Sequence, residues 1–369
     1  MKFTVSQSSL ARAINVVSKG IGSQSSLPIL TGILISAGAG TIQLQTTNLN
    51  VSIRHALPAN VEEEGATVVS GKLLGNMVKN LPDAPVSFEF DGTVVVVKCA
   101  RSRFRLNTLD VSDFPEFPAI EPERSVELPS DILGDMVDKV YKVTSKDTSR
   151  PILSGVLLTV EDNTIRLVAT DAYRLAVCDT NTETADVDAP FDVIVPGTTF
   201  HDVLTLPSMT ERLTLGVSDN QVVFSFGTTT YISRRIEGNF PNYRQLLPTQ
   251  CKTTVQIDAT ELAQALRRVS VIALSNPSVR FDADADGALL CLSASSPDQG
   301  ESTEQLEATV EGESMSISLN YHFVLDCASA AAAAAGSEIS LELLATMQPA
   351  IFKSYGKINY LYLLMPVRM

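Results

Sequence analysis

Asp282, Asp284 and Asp286, followed by Gly287, match positions 1, 3, 5 and 6 of a calcium loop. Position 12 is Ser293, where such a loop needs a bidentate glutamate, and strand patterns rather than helices flank it. The segment therefore reads as an acidic hairpin turn. Asp171 lies three residues before Arg174 in TDAYR, a carboxylate with a cation to orient it. Acid–base chemistry needs a second carboxylate, a histidine or a metal set beside it, and the sequence places none nearby. The three histidines (55, 201, 322) are dispersed, and GxxxxGK[ST], GxGxxG and GxSxG do not occur. Cysteines 99, 178, 251, 291 and 327 form no CxxC pair, which argues against a zinc ribbon or a disulfide framework and suits a reducing cytoplasm. No catalytic residue, metal or cofactor is expected.

The cations are better organised. Arg12 and Lys19 are seven residues apart, as are Lys72 and Lys79, so each pair shares one helix face. Lys139 with Lys142, and Arg267 with Arg268, occupy comparable places further along the chain. The elements that would carry them recur. Residues 26–47 (SLPILTGILISAGAGTIQLQTT) and 149–170 (SRPILSGVLLTVEDNTIRLVAT) share a pattern at an offset of 123, one third of the 369 residues. A third, looser copy follows Asn276-Pro277. Each copy opens with a two-residue strand period: Phe3 and Val5, Val126 and Leu128, Val255 and Ile257. An apolar helix stripe follows each time: Leu10, Ala13, Ile14, Val17; Leu133, Met136, Val137, Val140; Leu262, Ala265, Leu266, Val269. Ser8, Ser130 and Asp258 are the expected N-caps. A second helix is expected at 71–82, 197–207 and 319–336, the last ending in an alanine run capped by Gly336. Alternating strands such as 86–90, 93–99 and 221–226 surround these helices, and 117–124 and 244–253 read as linkers. The expected class is α+β, with three repeated two-helix plus antiparallel-sheet domains at 1–120, 125–247 and 249–369.

Charged residues make up 19% and hydrophobic residues 44%, enough to bury a core in each domain. The acidic balance, net charge −14, argues against a protein that clamps DNA by bulk charge. Repeated cationic helix faces on an acidic body instead suggest one local basic surface for DNA phosphates. No apolar run reaches the ~20 residues that span a bilayer, and MKFTVSQSSL has no signal-peptide core.

In order along the chain stand MKFTV, LPIL (27–30), RSRFRLNTL (101–109) with DFP (113–115), RPIL-x-G (150–155), ATDAYRLAV (169–177), EGNFPNYRQLLP (237–248) and LLMPVRM (363–369). Together, over the full length and within a threefold repeat, they resemble the bacterial DNA polymerase III β subunit family of sliding clamps. The resemblance implies the DNA clamp fold: a homodimeric six-domain ring, non-enzymatic and cytoplasmic, that encircles and slides on double-stranded DNA. It implies a processivity role for the replicative polymerase. The polymerase III catalytic subunit, the clamp loader, other polymerases and repair proteins would dock through short Gln- and Leu/Phe-bearing peptides.

Three residue sets follow from the resemblance. The peptide pocket comprises Leu153, Thr170, Ala172, Tyr173, Arg174, Leu175, Pro241, Gln245, Leu246, Leu363, Met365, Pro366, Val367, Arg368 and Met369. Ala172 and Tyr173 stand where the family pattern has Gly-His, and Gln245 where it has Arg. The dimer contact comprises Arg101, Arg103, Phe104, Arg105, Leu106, Ala273 and Leu274, with Glu301 and Glu304 as acidic partners. The DNA-facing set is Arg12, Lys19, Gln24, Lys72, Lys79, Lys139, Lys142, Lys146, Arg150, Arg267 and Arg268. Residues 365–369 lie beyond the last expected strand (360–364) and should be dispensable for the third domain's sheet. Two rival readings are an enzyme built on Asp171 and Arg174 and a monomeric repeat scaffold.

Overall fold

The computed structural model describes all residues except 23–26, 162, 182–189, 249, 274–275, 333–337 and 368–369. The first repeat runs β1 (Lys2–Ser6), α1 (Gln7–Ser18), β2 (Gly32–Gly38), β3 (Thr41–Thr47), β4 (Val51–Pro58), β5 (Asn60–Glu63), β6 (Gly65–Ser70), α2 (Gly71–Lys79), β7 (Pro85–Phe90), β8 (Val94–Cys99) and β9 (Ser102–Leu109). The second runs β10 (Arg124–Pro129), α3 (Ser130–Val140), β11 (Gly155–Glu161), β12 (Thr164–Thr170), β13 (Arg174–Asn181), β14 (Phe191–Pro196), α4 (Gly197–Leu204), β15 (Arg212–Val217), β16 (Gln221–Phe226) and β17 (Thr229–Arg234). The third runs β18 (Thr253–Asp258), α5 (Ala259–Val269), β19 (Ser278–Asp284), β20 (Leu289–Ser296), β21 (Gly300–Glu307), β22 (Thr309–Gly312), β23 (Met315–Asn320), α6 (Tyr321–Ala331), β24 (Glu338–Leu343), β25 (Ala350–Ser354) and β26 (Asn359–Leu364).

The apolar stripes of α1, α3 and α5 are all buried, as their spacing requires. The N-cap of α1 is Ser6 rather than Ser8. The helix starts directly where β1 ends, and the Ser6 hydroxyl accepts from the Ser9 N–H at 3.2 Å. Ser130 is the first residue of α3, and Asp258 caps α5 by accepting from Thr260 and Glu261. Helix α2 stops at Lys79 and α6 at Ala331, short of the expected spans; Gly336 lies outside the described residues. In the acidic segment, Asp282 and Asp284 are the end of β19 and residues 285–288 turn the chain into β20, with Asp284 accepting from the N–H groups of Asp286 and Gly287.

All described strand pairs are antiparallel. Their contacts divide the chain into two compact units, one of residues 1–133 with 199–235, the other of most of 134–198 with 236–369. The middle repeat is shared because its strands extend its neighbours' sheets. In the first unit β17 pairs with β4, giving the order β10-β15-β16-β17-β4-β3-β2-β6-β9-β8-β7-β1-β5. In the second, β13 pairs with β26, giving β14-β11-β12-β13-β26-β25-β24-β18-β22, and β21-β20-β19-β23 form a separate sheet. Each seam buries backbone donors and acceptors that a free edge would leave open. Among the described residues no helix is long and apolar enough to cross a membrane.

Candidate functional site

The second seam joins β13 to β26 with Leu175 opposite Leu363 and Val177 opposite Leu361. Side chains alternate along a strand, so Leu175 and Val177 share one face and Arg174 and Ala176 the other. On the first face Val168, Leu175, Val177, Tyr243 and Leu363 form a buried cluster, backed by Leu157, Phe240, Leu247 and Leu361. Tyr243 arrives from the linker, in a 3-10 turn (Tyr243–Leu246) whose first N–H donates to the Pro241 carbonyl at 2.7 Å. Three large apolar side chains stay open to solvent in the segments flanking this cluster: Tyr173 at 64%, Leu246 at 55% and Met365 at 44% exposure. Gln245, Pro241 and Ala172 are exposed beside them in sequence; Pro366 and Val367 are half-buried. Leu153 is buried in the turn Pro151–Ser154 that leads into β11. Arg368 and Met369 lie outside the described residues.

Tyr173 is presented by a turn under backbone strain. Ala172 has φ +77°, a left-handed conformation that costs a residue with a Cβ about 1 kcal/mol. Side-chain bonds hold it there. Asp171 Oδ1 accepts from the N–H groups of Tyr173 and Arg174, both at 3.0 Å. Thr170 Oγ1 donates to the Arg174 carbonyl at 2.7 Å and accepts from the Ala172 N–H. The tail continues the ladder as Met365 N–H donates to the Tyr173 carbonyl at 2.9 Å. Val367 N–H then donates to the Ser318 carbonyl of β23 at 2.9 Å. Strand β26 ends at Leu364, as expected, and the tail beyond it is bonded both to the turn before β13 and to a second sheet.

Arg174 is buried on the opposite face of β13. Its Nε donates to Asp171 Oδ2 (2.9 Å), Nη1 to Asp326 Oδ2 (2.7 Å) and Tyr362 Oη (3.1 Å), and Nη2 to the Lys142 carbonyl (2.7 Å). The guanidinium carbon sits 4.1 Å from the Phe323 ring centroid. Burial works against its charge, but Tyr362, Asp326 and Asp171 outweigh that and raise its pKa further. Burial likewise raises the Tyr362 phenol, so the hydroxyl stays protonated. Asp171 thus holds both the turn and the Arg174 guanidinium.

At the first seam, positions 123 residues earlier carry Gln45, Ser52 and Arg54 in place of Val168, Leu175 and Val177. Gln45 Nε2 donates to the Pro115 carbonyl at 3.4 Å, and the Arg54 guanidinium lies 4.3 Å from the ring of linker residue Phe117. The same architecture therefore carries an apolar face at one seam and a polar one at the other.

Arg12, Lys72, Lys79, Lys142, Lys146 and Arg267 are exposed. Lys19 pairs with Asp202 at 2.7 Å, Arg150 with Asp147 at 2.9 Å, and Arg268 with Glu304 at 2.8 Å, surface pairs that hold these cations only weakly. Lys139 departs from the expected outward role. Its ammonium donates to the Ala330 carbonyl and lies 5.4 Å from the Tyr360 ring centroid. Gln24 lies outside the described residues.

On β9, Arg103, Phe104 and Arg105 are exposed, while Leu106 is buried in its own core. Ala273 is also buried, and Leu274 lies outside the described residues. Glu304, expected to face an arginine of another copy, is already taken by Arg268 of its own chain; Glu301 stays exposed.

Three consecutive family models match the chain: the N-terminal, central and C-terminal domains of the DNA polymerase III beta subunit, at residues 1–118, 127–242 and 244–368. The chain belongs to this family. It is 30% identical, over the full length of both chains, to a beta sliding clamp of Streptomyces coelicolor. It superposes on a DNA polymerase sliding clamp of Bacillus subtilis with a TM-score of 0.93 at 27% identity, covering 100% of this chain and 99% of that one. A sliding clamp of Bartonella birtlesii bound to griselimycin matches over the full length of both chains, with a TM-score of 0.91 and 27% identity. Its role is that of a sliding clamp, a non-catalytic processivity factor of DNA replication. Sequence reasoning missed Asp326, Phe323 and Tyr362, which hold Arg174 from 149 to 188 positions away. None of the three stands near TDAYR in sequence, and Arg174 meets the tail strand only through the seam, where it faces Leu364.

Proposed function

We propose that two copies of the chain, each of three domains (1–120, 125–247 and 249–369), close head to tail into a cytoplasmic ring around duplex DNA. Polymerases, the loader and repair proteins dock by short peptides at the second seam. Strand edges carry the reading. The β4 position of one repeat pairs with the β17 position of the next at the first seam, and β13 pairs with β26 in the same way at the second. The strands left over are β21 of the third repeat, paired among described residues only with β20, and β9 of the first, paired with β8 and only marginally with β6. A third seam of the same kind joins β21 of one copy to β9 of the other, twice per ring.

The register follows from the hairpins. Ser102 takes the place of Thr229, since Cys99↔Ser102 and Phe226↔Thr229 both start their hairpins. Glu301 takes the place of Ser52, through Ser295↔Glu301 and Thr47↔Ser52. Ser52 faces Ile232, so Glu301 faces Arg105 and Ser302 faces Phe104. The exposure pattern agrees. Arg103 and Arg105 share a face with Glu301 and Thr303, while Phe104 shares the other with Ser302.

Docking at the second seam rests on its buried cluster, flanked by exposed Tyr173, Leu246 and Met365, which suits apolar anchors. Gln45, Ser52 and Arg54 deny the first seam that chemistry, so one site per chain is the reading. The exposed cations of the helices would meet phosphates loosely, so the ring slides while the acidic body repels DNA elsewhere. The test is retention: protein assembled on circular DNA should stay bound and be released when that DNA is linearised. Equal retention on linear DNA with free ends would refute the ring.

A further inference from the structure

We propose that Arg174 is the positioning residue of the docking site rather than a peptide contact, and that Asp326 of α6 is the anchor through which it works. The inference rests on the docking reading of the second seam and adds a part that lies outside the pocket. Alternation on β13 places Arg174 on the face opposite Leu175 and Val177, so its guanidinium points away from the apolar cluster. Four of its five N–H groups are used by four partners from separate segments: Asp171, Asp326, Tyr362 and the Lys142 carbonyl. The Phe323 ring centroid lies 4.1 Å from the guanidinium carbon.

Asp171 connects this strut to the surface. One carboxylate oxygen receives Arg174 Nε, and the other receives the N–H groups of Tyr173 and Arg174. The turn so held contains the strained Ala172 and presents Tyr173, the most exposed of the three apolar side chains beside the cluster. A strained turn persists only where its surroundings over-determine it. Here the restraint passes from α6 through Asp326 to the guanidinium, then through Asp171 to the turn. Loosening the far end lets Asp171 and its turn sample other conformations, and a peptide must then pay to order them.

The probe is a fluorescein-labelled peptide carrying Gln followed by a Leu-Phe pair, titrated by anisotropy against the full-length protein. Asp326→Ala should weaken binding about tenfold, the scale of one lost partner in a coupled network, with thermal midpoint and sedimentation little changed. Asp326→Asn, the milder variant, should fall between this and the native protein. Arg174→Lys keeps the charge but not the fork and should lose as much as Asp326→Ala. In a Tyr173→Ala background the Asp326→Ala effect should shrink below about twofold, because the turn no longer presents an anchor. Native affinity in both Asp326 variants, or a full tenfold loss persisting beside Tyr173→Ala, overturns the strut while leaving the docking site standing. Failure of the native protein to bind the probe overturns the docking reading, and the strut with it.

Discussion

Replacing Phe104 by aspartate should convert the ring into folded monomers. Phe104 is 38% exposed in the single chain, on the open edge of β9, and the transposed register sets it against Ser302 of the other copy. A phenylalanine offers roughly 200 Å² of surface, so about 75 Å² remains to be buried at the seam. At ~25 cal/mol per Å² this contributes about 2 kcal/mol per seam, or about 4 kcal/mol over the two seams of a ring. That alone weakens dimerisation about 1,000-fold. The introduced carboxylate adds to the loss, because Glu304 lies on the same face, diagonal to it. Sedimentation equilibrium should show a particle near 39.7 kDa for the variant and near twice that mass for the native chain. Since Phe104 is already exposed in the chain, the thermal midpoint of the monomer should stay close to that of its isolated fold. A variant dimer as tight as the native one would refute both the register and the role of β9.

The same register makes charge reversal informative. Arg105→Glu and Glu301→Arg should each weaken the dimer, by about 1 kcal/mol per seam, and the double variant should recover most of the loss by sedimentation. No recovery in the double variant would place the two residues apart. At the docking seam, Val177→Arg copies the first seam's Arg54 into the apolar cluster, and fluorescence anisotropy should show peptide binding lost while the dimer persists. Undiminished peptide binding would move the site off this face.

The repeated helix stripes were legible because burial of Leu10, Leu133 and Leu262 with their i+3, i+4 and i+7 partners leaves a period in the chain itself. Strand pairs within a repeat were legible for the same reason. The seams were not, since nothing in the period of β4 says that β17, about 180 residues later, completes its sheet. Lys139 shows the limit for single residues. Its spacing reads as an outward helix face, but the Ala330 carbonyl and the Tyr360 ring come from a different repeat and draw the side chain in. The tail shows it again, because the partner of Val367, Ser318, sits in another sheet. At the second seam, the apolar residues Leu175, Leu246 and Met365 could be read from residue types and the family resemblance. The ionic frame behind Arg174 could not, because Asp326 looks like any other exposed acid on a helix.

One scaffold thus carries two chemistries at the equivalent seams within the chain, and the differences come from a few side chains. At the first seam, Gln45, Ser52 and Arg54 make the outer face polar, and Phe117 covers the arginine. At the second, Val168, Leu175 and Val177 make it apolar, and Tyr243 packs into the cluster in the place where Phe117 stacks on a charge. At the proposed third seam, Arg103 and Arg105 line one face of β9, and Glu301 lies on the matching face of β21. An open edge with complementary charge invites pairing with its complement while discouraging two β9 or two β21 edges from joining each other. In the proposed ring, head-to-tail closure would follow from electrostatics at the edge, with the hydrophobic contribution of Phe104 setting its strength.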